Sequence, residues 1–208
     1  MIKNINLTIL FNLIFTISIL ANSEYRFNYE LIIDNKKAGN LEFVCIKDKS
    51  NIYKYITKLN MKYKYIFMDY EYKYKQEAYV KNGVLLSIVV YEKDDDKVKK
   101  VKAKRDGDFL IYTNGKKIDM TQIDYLPFDY KSKSYENKIT DKNFTLKTFD
   151  PLSGETYMEK NHISEDSNSD LIKIKTIGYK NNSEEKILLK DGTLINLKNK
   201  FFEANLIK

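Results

Sequence analysis

The stretch YKYITKLNMKYKYIFMDYEYKYKQEAYV, residues 53 to 80, changes side at every second residue. Odd positions carry Tyr53, Tyr55, Leu59, Met61, Tyr63, Tyr65 and Phe67; Lys54, Lys58, Asn60, Lys62 and Lys64 fall between them. A period of two is the signature of a half-buried β-strand, because successive side chains leave a pleated backbone on opposite faces. After Met68-Asp69 the phase flips, and Tyr70, Tyr72, Tyr74, Ala78 and Val80 become the apolar set. A one-residue phase change requires a turn or a bulge. The pattern therefore predicts two long antiparallel strands joined near Phe67 to Asp69.

The same period extends outward in both directions. Upstream, Tyr25, Phe27, Tyr29, Leu31 and Ile33 alternate with polar residues; a turn at 35–39 follows, and Leu41, Phe43 and Cys45 resume the alternation. Cys45 reads as a small core hydrophobe. Downstream, Asn82-Gly83 is a tight-turn signal. Val84 to Tyr91 is nearly continuously apolar, as expected of a strand covered on both faces. Asp94-Asp95-Asp96, Asp106-Gly107 and Asn114-Gly115 mark further turns in a meander. Met120 to Tyr125 reads as a helical turn ended by Pro127, and residues 161–170 as a polar loop. Short strands follow at 144–149, 171–179, 186–189 and 193–197. The expected fold is all-β: one large curved antiparallel sheet of roughly ten to twelve strands. A sheet of that size must curl into a half-barrel, barrel or sandwich.

The first 23 residues read as a signal peptide: Lys3, then the apolar run from Thr8 to Leu20, then Ala21-Asn22-Ser23 with small residues at the cleavage positions. The run is shorter than the ~20 residues of a spanning helix. Cleavage after Ser23 leaves a single domain, residues 24–208, in the periplasm, where nucleic acid is not an expected partner.

Composition removes several function classes. The 208 residues include one His, one Cys and no Trp, with a formal charge of +7. One Cys excludes an internal disulfide framework, and one His with one Cys gives too few soft ligands for a closed zinc site. Neither a Gly-x-Ser-x-Gly elbow nor a phosphate-cradling glycine loop is present. His162 has acidic neighbours but no partner in sequence that would orient it as a base. Asp94 to Asp96 lack the spacing of a calcium loop and read as a hairpin tip. These readings leave no catalytic residue, metal or cofactor to expect.

The aromatic face is the candidate site. Tyr53, Tyr55, Tyr63, Tyr65 and Phe67, opposed by Tyr72 and Tyr74 on the next strand, can line a cavity for a lipid-like or otherwise apolar molecule. The rings supply apolar surface and the hydroxyls can reach polar groups. The alternative is an envelope structural or interaction protein whose basic face, including KVKKVKAKR at 97–105, meets an acidic glycan or a protein partner. Asn143, in Asp141-Lys142-Asn143-Phe144-Thr145, fits an acidic-x-Asn-x-Thr glycosylation acceptor.

Three elements carry a resemblance to a known family. The first is the strand, turn and second strand from Tyr29 to Phe43, with Gly39. The second is the series Tyr72, Tyr74, Glu77, Tyr79, Gly83, Leu85 and Ser87. The third is the run from Phe149 to Gly154. These resemble a family of uncharacterised exported proteins of Gram-negative bacteria, known only as a domain of unknown function. Its members usually carry Trp where this chain has Tyr79, and their strands are less rich in lysine. The resemblance implies a periplasmic, all-antiparallel fold similar to the curved half-barrels of lipoprotein-carrier-like proteins, and it implies no catalytic residues.

Overall fold

A computed structural model describes residues 23–65, 68–123, 142–165, 171–178, 182–189 and 193–207. Its strands are β1 (Ser23–Ile33), β2 (Lys36–Lys47), β3 (Ile52–Tyr65), β4 (Met68–Lys81), β5 (Val84–Asp94), β6 (Lys97–Asp106) and β7 (Phe109–Tyr112). They continue as β8 (Lys117–Asp119), β9 (Asn143–Phe149), β10 (Thr156–Glu165), β11 (Leu171–Ile177), β12 (Ser183–Leu189), β13 (Leu194–Asn199) and β14 (Glu203–Leu206). The fourteen strands form one open, curved antiparallel sheet in the order β8-β7-β6-β5-β4-β3-β2-β1-β14-β13-β12-β11-β10-β9. This is a meander whose first and last strands are neighbours, and β8 and β9 are its two edges.

The strand count exceeds the ten to twelve expected because β8 and β14 are too short to show alternation. Each has only one inward side chain fully covered, Ile118 and Ala204 respectively. Residues 161–165, expected in a loop, instead extend β10, so His162 stands on a strand.

The β3–β4 hairpin runs in unbroken register from Ile52↔Lys81 to Tyr65↔Met68. Every pair joins an odd position to an even one, so the inward face is odd on β3 and even on β4. The phase flip in the sequence is this turn. Asp34 and Asn35 in the β1–β2 turn both adopt left-handed φ, 48° and 61°, as a type I′ hairpin turn requires. Gly39, expected in that turn, is instead a strand residue of β2. A Cβ there would lie 2.0 Å from the Asn60 carbonyl oxygen, so only glycine lets β2 and β3 approach this closely.

β5 corrects another expectation. It is covered on one face, with Leu85, Ile88 and Val90 buried inward and Val89 and Tyr91 half-buried on the other side. An irregularity opposite Tyr79 and Val80 pairs Val80 with Leu85 but Tyr79 with Ser87. The skipped Leu86 is a bulge residue, so an odd and an even position both point inward. The continuous apolar run is two alternating phases joined there.

The curl brings distant strands together in two packed lobes. In one, Tyr29, Leu31, Leu41, Phe43, Leu59 and Met61 meet Ile163, Ile174, Leu188, Leu194 and Leu197. Tyr29 is fully buried; its hydroxyl donates to the Leu194 carbonyl (2.9 Å), and its ring meets the Phe43 ring edge-on. In the other lobe, Ala78, Val80, Leu85, Ile88, Val90, Leu110, Tyr112 and Ile118 pack with Phe149 of β9. That second lobe spans the two sheet edges. Side chains hold the seam further: Lys116 Nζ donates to the Ser153 carbonyl (2.8 Å), and Lys147 Nζ to Gln122 Oε1 (3.1 Å). Gly154 sits so close that a Cβ would come within 3.1 Å of the Tyr112 ring.

Candidate functional site

Where inward faces do not meet, the curled sheet forms a partly open cavity of about 1230 Å³. Drug-sized ligands occupy sites of ~300–1,000 Å³, so this volume has room for a larger apolar molecule. Strands β1 to β4 supply its aromatic wall. Five of the seven aromatic residues proposed from the sequence, Tyr53, Tyr55, Tyr63, Tyr72 and Tyr74, line it, and Tyr70 joins them. Tyr65 ends β3 opposite Met68, and Phe67 lies outside the described residues. Register explains the convergence: Tyr63 pairs with Tyr70, Met61 with Tyr72 and Leu59 with Tyr74 across the hairpin. The Tyr63 and Tyr70 rings are 4.9 Å apart, and Tyr53 stacks on Tyr55 at 6.1 Å with 16° between planes.

Three hydroxyls of this wall are engaged by the protein itself. Tyr72 donates to Glu92 Oε1 (2.8 Å), Tyr74 to Gln76 Oε1 (2.6 Å), and Tyr70 to Asp94. Burial, then these carboxylates, raises the Tyr70 and Tyr72 pKa values well above the ordinary phenol range. Both are therefore neutral donors at physiological pH. Asp94 and Glu92 on β5 and Gln76 on β4 itself fix the rings, so Tyr70, Tyr72 and Tyr74 offer the cavity ring surface, whereas the sequence suggested free polar tips. Cys45, expected in the core, is half-buried and lines the same wall.

The strands after β8 contribute a polar part that sequence reading missed. Tyr157 and Glu159 on β10, with Glu184 and Lys186 on β12, line the cavity. Lys186 is buried, and its Nζ lies 3.1 Å from Glu184 Oε2. Nearby, buried Thr176 donates to Asn161 Oδ1 (2.7 Å). Burial, then Glu159, pushes the Tyr157 pKa up to about 12. In one strand, SEEKILL, these charges look like an ordinary solvated edge. Only the pairing of Ile174 with Lys186 and Thr176 with Glu184 reveals that they point inward.

The remaining sequence candidates lie elsewhere. His162 is exposed on β10, and its Nδ1 is 2.7 Å from Oδ1 of Asn143, the exposed first residue of β9. The Asp94–Asp96 turn is occupied by hydrogen bonds: Asp94 accepts from Tyr70, and Asp95 Oδ1 accepts from the Glu71 amide (2.9 Å). Among the described residues, no group of three or more His, Cys, Asp or Glu side chains is placed to hold a metal ion.

No curated protein matches the chain. A solved β-barrel-like protein of domain of unknown function DUF1849 from Brucella abortus is similar in fold. Its TM-score is 0.66, covering 91% of this chain and 97% of that one at 10% identity. The sequence itself matches the domain of unknown function DUF6134 over residues 29–163, which takes in β2 to β9, the second part of β1, most of β10, and the whole aromatic wall from Tyr53 to Tyr74. With more than half of its length inside that match, the chain belongs to the DUF6134 family.

Proposed function

We propose that the protein is a non-enzymatic, exported binder of an amphipathic, lipid-like molecule held inside its curled sheet. The observation that carries this reading is the cavity: a tyrosine wall in which the hydroxyls of Tyr70, Tyr72 and Tyr74 are tied back, joined to a wall bearing Tyr157, Glu159, Glu184 and Lys186. Rings without competing polar tips suit acyl chains or fused rings. Two carboxylates against one ammonium favour a neutral or cationic head group over a carboxylate or phosphate. Among the described residues, the inward polar groups include no nucleophile–base pair, which supports binding without turnover. Export to the periplasm rests on the leader, residues 1–23.

Saturable fluorescence of N-phenyl-1-naphthylamine, a neutral apolar probe, tests the reading, together with native mass spectrometry of gently purified protein. We expect stoichiometric probe uptake and a co-purified lipid-sized mass. Cys45→Trp, which projects a larger side chain from the half-buried cavity wall, should abolish uptake while the protein stays folded. A clean apo mass with no saturable uptake would sink the proposal.

A further inference from the structure

The lysines of the outer sheet surface fall into two groups. On β3 to β5 six of them share three carboxylates: Lys54 and Lys75 pair with Glu77 (2.9 and 2.6 Å), Lys58 with Glu42 (2.7 Å), and Lys62, Lys73 and Lys93 with Glu71 (3.0, 3.2 and 2.6 Å), while Lys64 and Lys81 stand at the two ends of the hairpin without an ion pair among the described residues. On β6 no lysine is paired among the described residues. Ala103 is buried and Val101 half-buried on the inner face, so Lys100, Lys102 and Lys104 project outward and are exposed. Among the described residues, none of the three has an ion pair. The basic run 97–105 is thus split by the pleat, and its even positions form a column with a repeat of ~7 Å.

Apolar side chains frame that column. Tyr91 and Val89 pair with Lys100 and Lys102 on one side, and Ile111 pairs with Lys104 on the other. Val98 continues the column at 61% exposure, and Phe109 stands on β7 at 46%. Asp106 at the β6–β7 turn and Asp119 on β8 lie at the far end of the face, and Thr121 hydrogen-bonds the latter. A polyanionic glycan would use the ammonium groups alone. A bilayer surface also accommodates exposed Val and Phe side chains at its acyl boundary, while lysine stems let the charges reach the phosphates.

We infer that the outer face of β5 to β7, centred on Lys100, Lys102 and Lys104, docks the protein on an anionic phospholipid surface. This face is on the reverse of the sheet from the cavity and does not depend on it. The test is flotation with vesicles of phosphatidylcholine containing about 30% phosphatidylglycerol, against pure phosphatidylcholine, at low and high salt. The full mature protein should float with the anionic vesicles only, and less so as salt rises. Changing Lys100, Lys102 and Lys104 together to Glu should weaken binding by roughly a hundredfold. Changing Lys49, Lys160 and Lys175 to Glu, equal in charge but exposed elsewhere, should weaken it far less. Val98→Asp, leaving every lysine in place, should also reduce flotation. Cys45→Trp should not, which separates this face from the cavity. Equal losses in the two charge variants, an unaffected Val98→Asp protein, or binding to dextran sulfate without binding to vesicles would each overturn the inference.

Discussion

Ile88 and Tyr53 both point inward, yet the structure gives them different work. Ile88 is completely buried in the second lobe beside Ala78 and Ala103, the residues paired with it on β4 and β6. Ile88→Ala removes about three methylene equivalents, or ~2.4 kcal/mol of transfer energy. The void left among close-packed neighbours raises the loss to ~3 kcal/mol or more, within the ~2–5 kcal/mol usual for such changes. Tyr53 is half-buried on the cavity wall. Tyr53→Ala loses mainly its stack on Tyr55, worth ~0.5–1.5 kcal/mol. For a chain of this size, ~1 kcal/mol moves the melting temperature by ~2–4 °C. Ile88→Ala should therefore melt about 6–12 °C lower with probe uptake intact. Tyr53→Ala should melt only about 1–6 °C lower and bind the probe several-fold more weakly. Calorimetry with urea titration on ligand-stripped protein reads the first quantity, and fluorescence titration the second. If Tyr53→Ala costs as much stability as Ile88→Ala and leaves uptake unchanged, its ring is core, and the distinction between lobe and cavity fails.

Other outcomes follow from single features. Gly39→Ala would drive a methyl group into the Asn60 carbonyl, so it should cost at least the ~1–3 kcal/mol of an overpacked core and lower the urea midpoint sharply; Gly83→Ala, in open space at a positive-φ turn, should cost less. Lys93, Lys62 and Lys73 hold the Glu71 carboxyl at about 2, and Lys58 lowers that of Glu42. Their folded pKa values lie below the unfolded ones, so the stabilisation is complete above about pH 5 and is lost as pH falls toward 2. The urea midpoint should track that fall, and the combined change of Glu42 and Glu71 to Gln should flatten it. Tyr70, Tyr72, Tyr112 and Tyr157 shift the other way. The stabilisation from their protonated forms is complete below about pH 10 and is lost as pH rises from there through the raised folded values. Spectrophotometric titration should show these phenols ionising in step with alkaline unfolding.

Strand identity was legible wherever one face is polar and the strand is long. The β3–β4 hairpin shows both, so its two strands and their shared tyrosine face could be read from spacing alone, although the joint, expected near Phe67 to Asp69, falls earlier, between Tyr65 and Met68. The bulge at Leu86 hid the one-sided burial of β5, because a continuous apolar run carries no phase. Gly39 looked like turn chemistry. Its reason is a backbone approach from β3, a long-range contact that local sequence does not encode. The cavity's polar wall was illegible for a related reason. Glu184 and Lys186 alternate with Glu185 and Ile187, so the strand has charged residues on both faces, and only its neighbours choose which is inside. The fate of the tyrosine hydroxyls likewise depended on Glu92 and Asp94, one strand away.

The pairing of β1 with β14 sets the timing of folding. A meander can zip strand by strand as it emerges, but here the earliest strand keeps one raw edge until the final one arrives. Any truncation that deletes Glu203 to Leu206 would leave Tyr29 to Ile32 with a row of unsatisfied amides, an open template for joining another copy. Reconnecting the two ends and opening the chain between β8 and β9 would, by contrast, preserve every ladder in the sheet. A circular permutant cut at that place should assemble as readily as the parent.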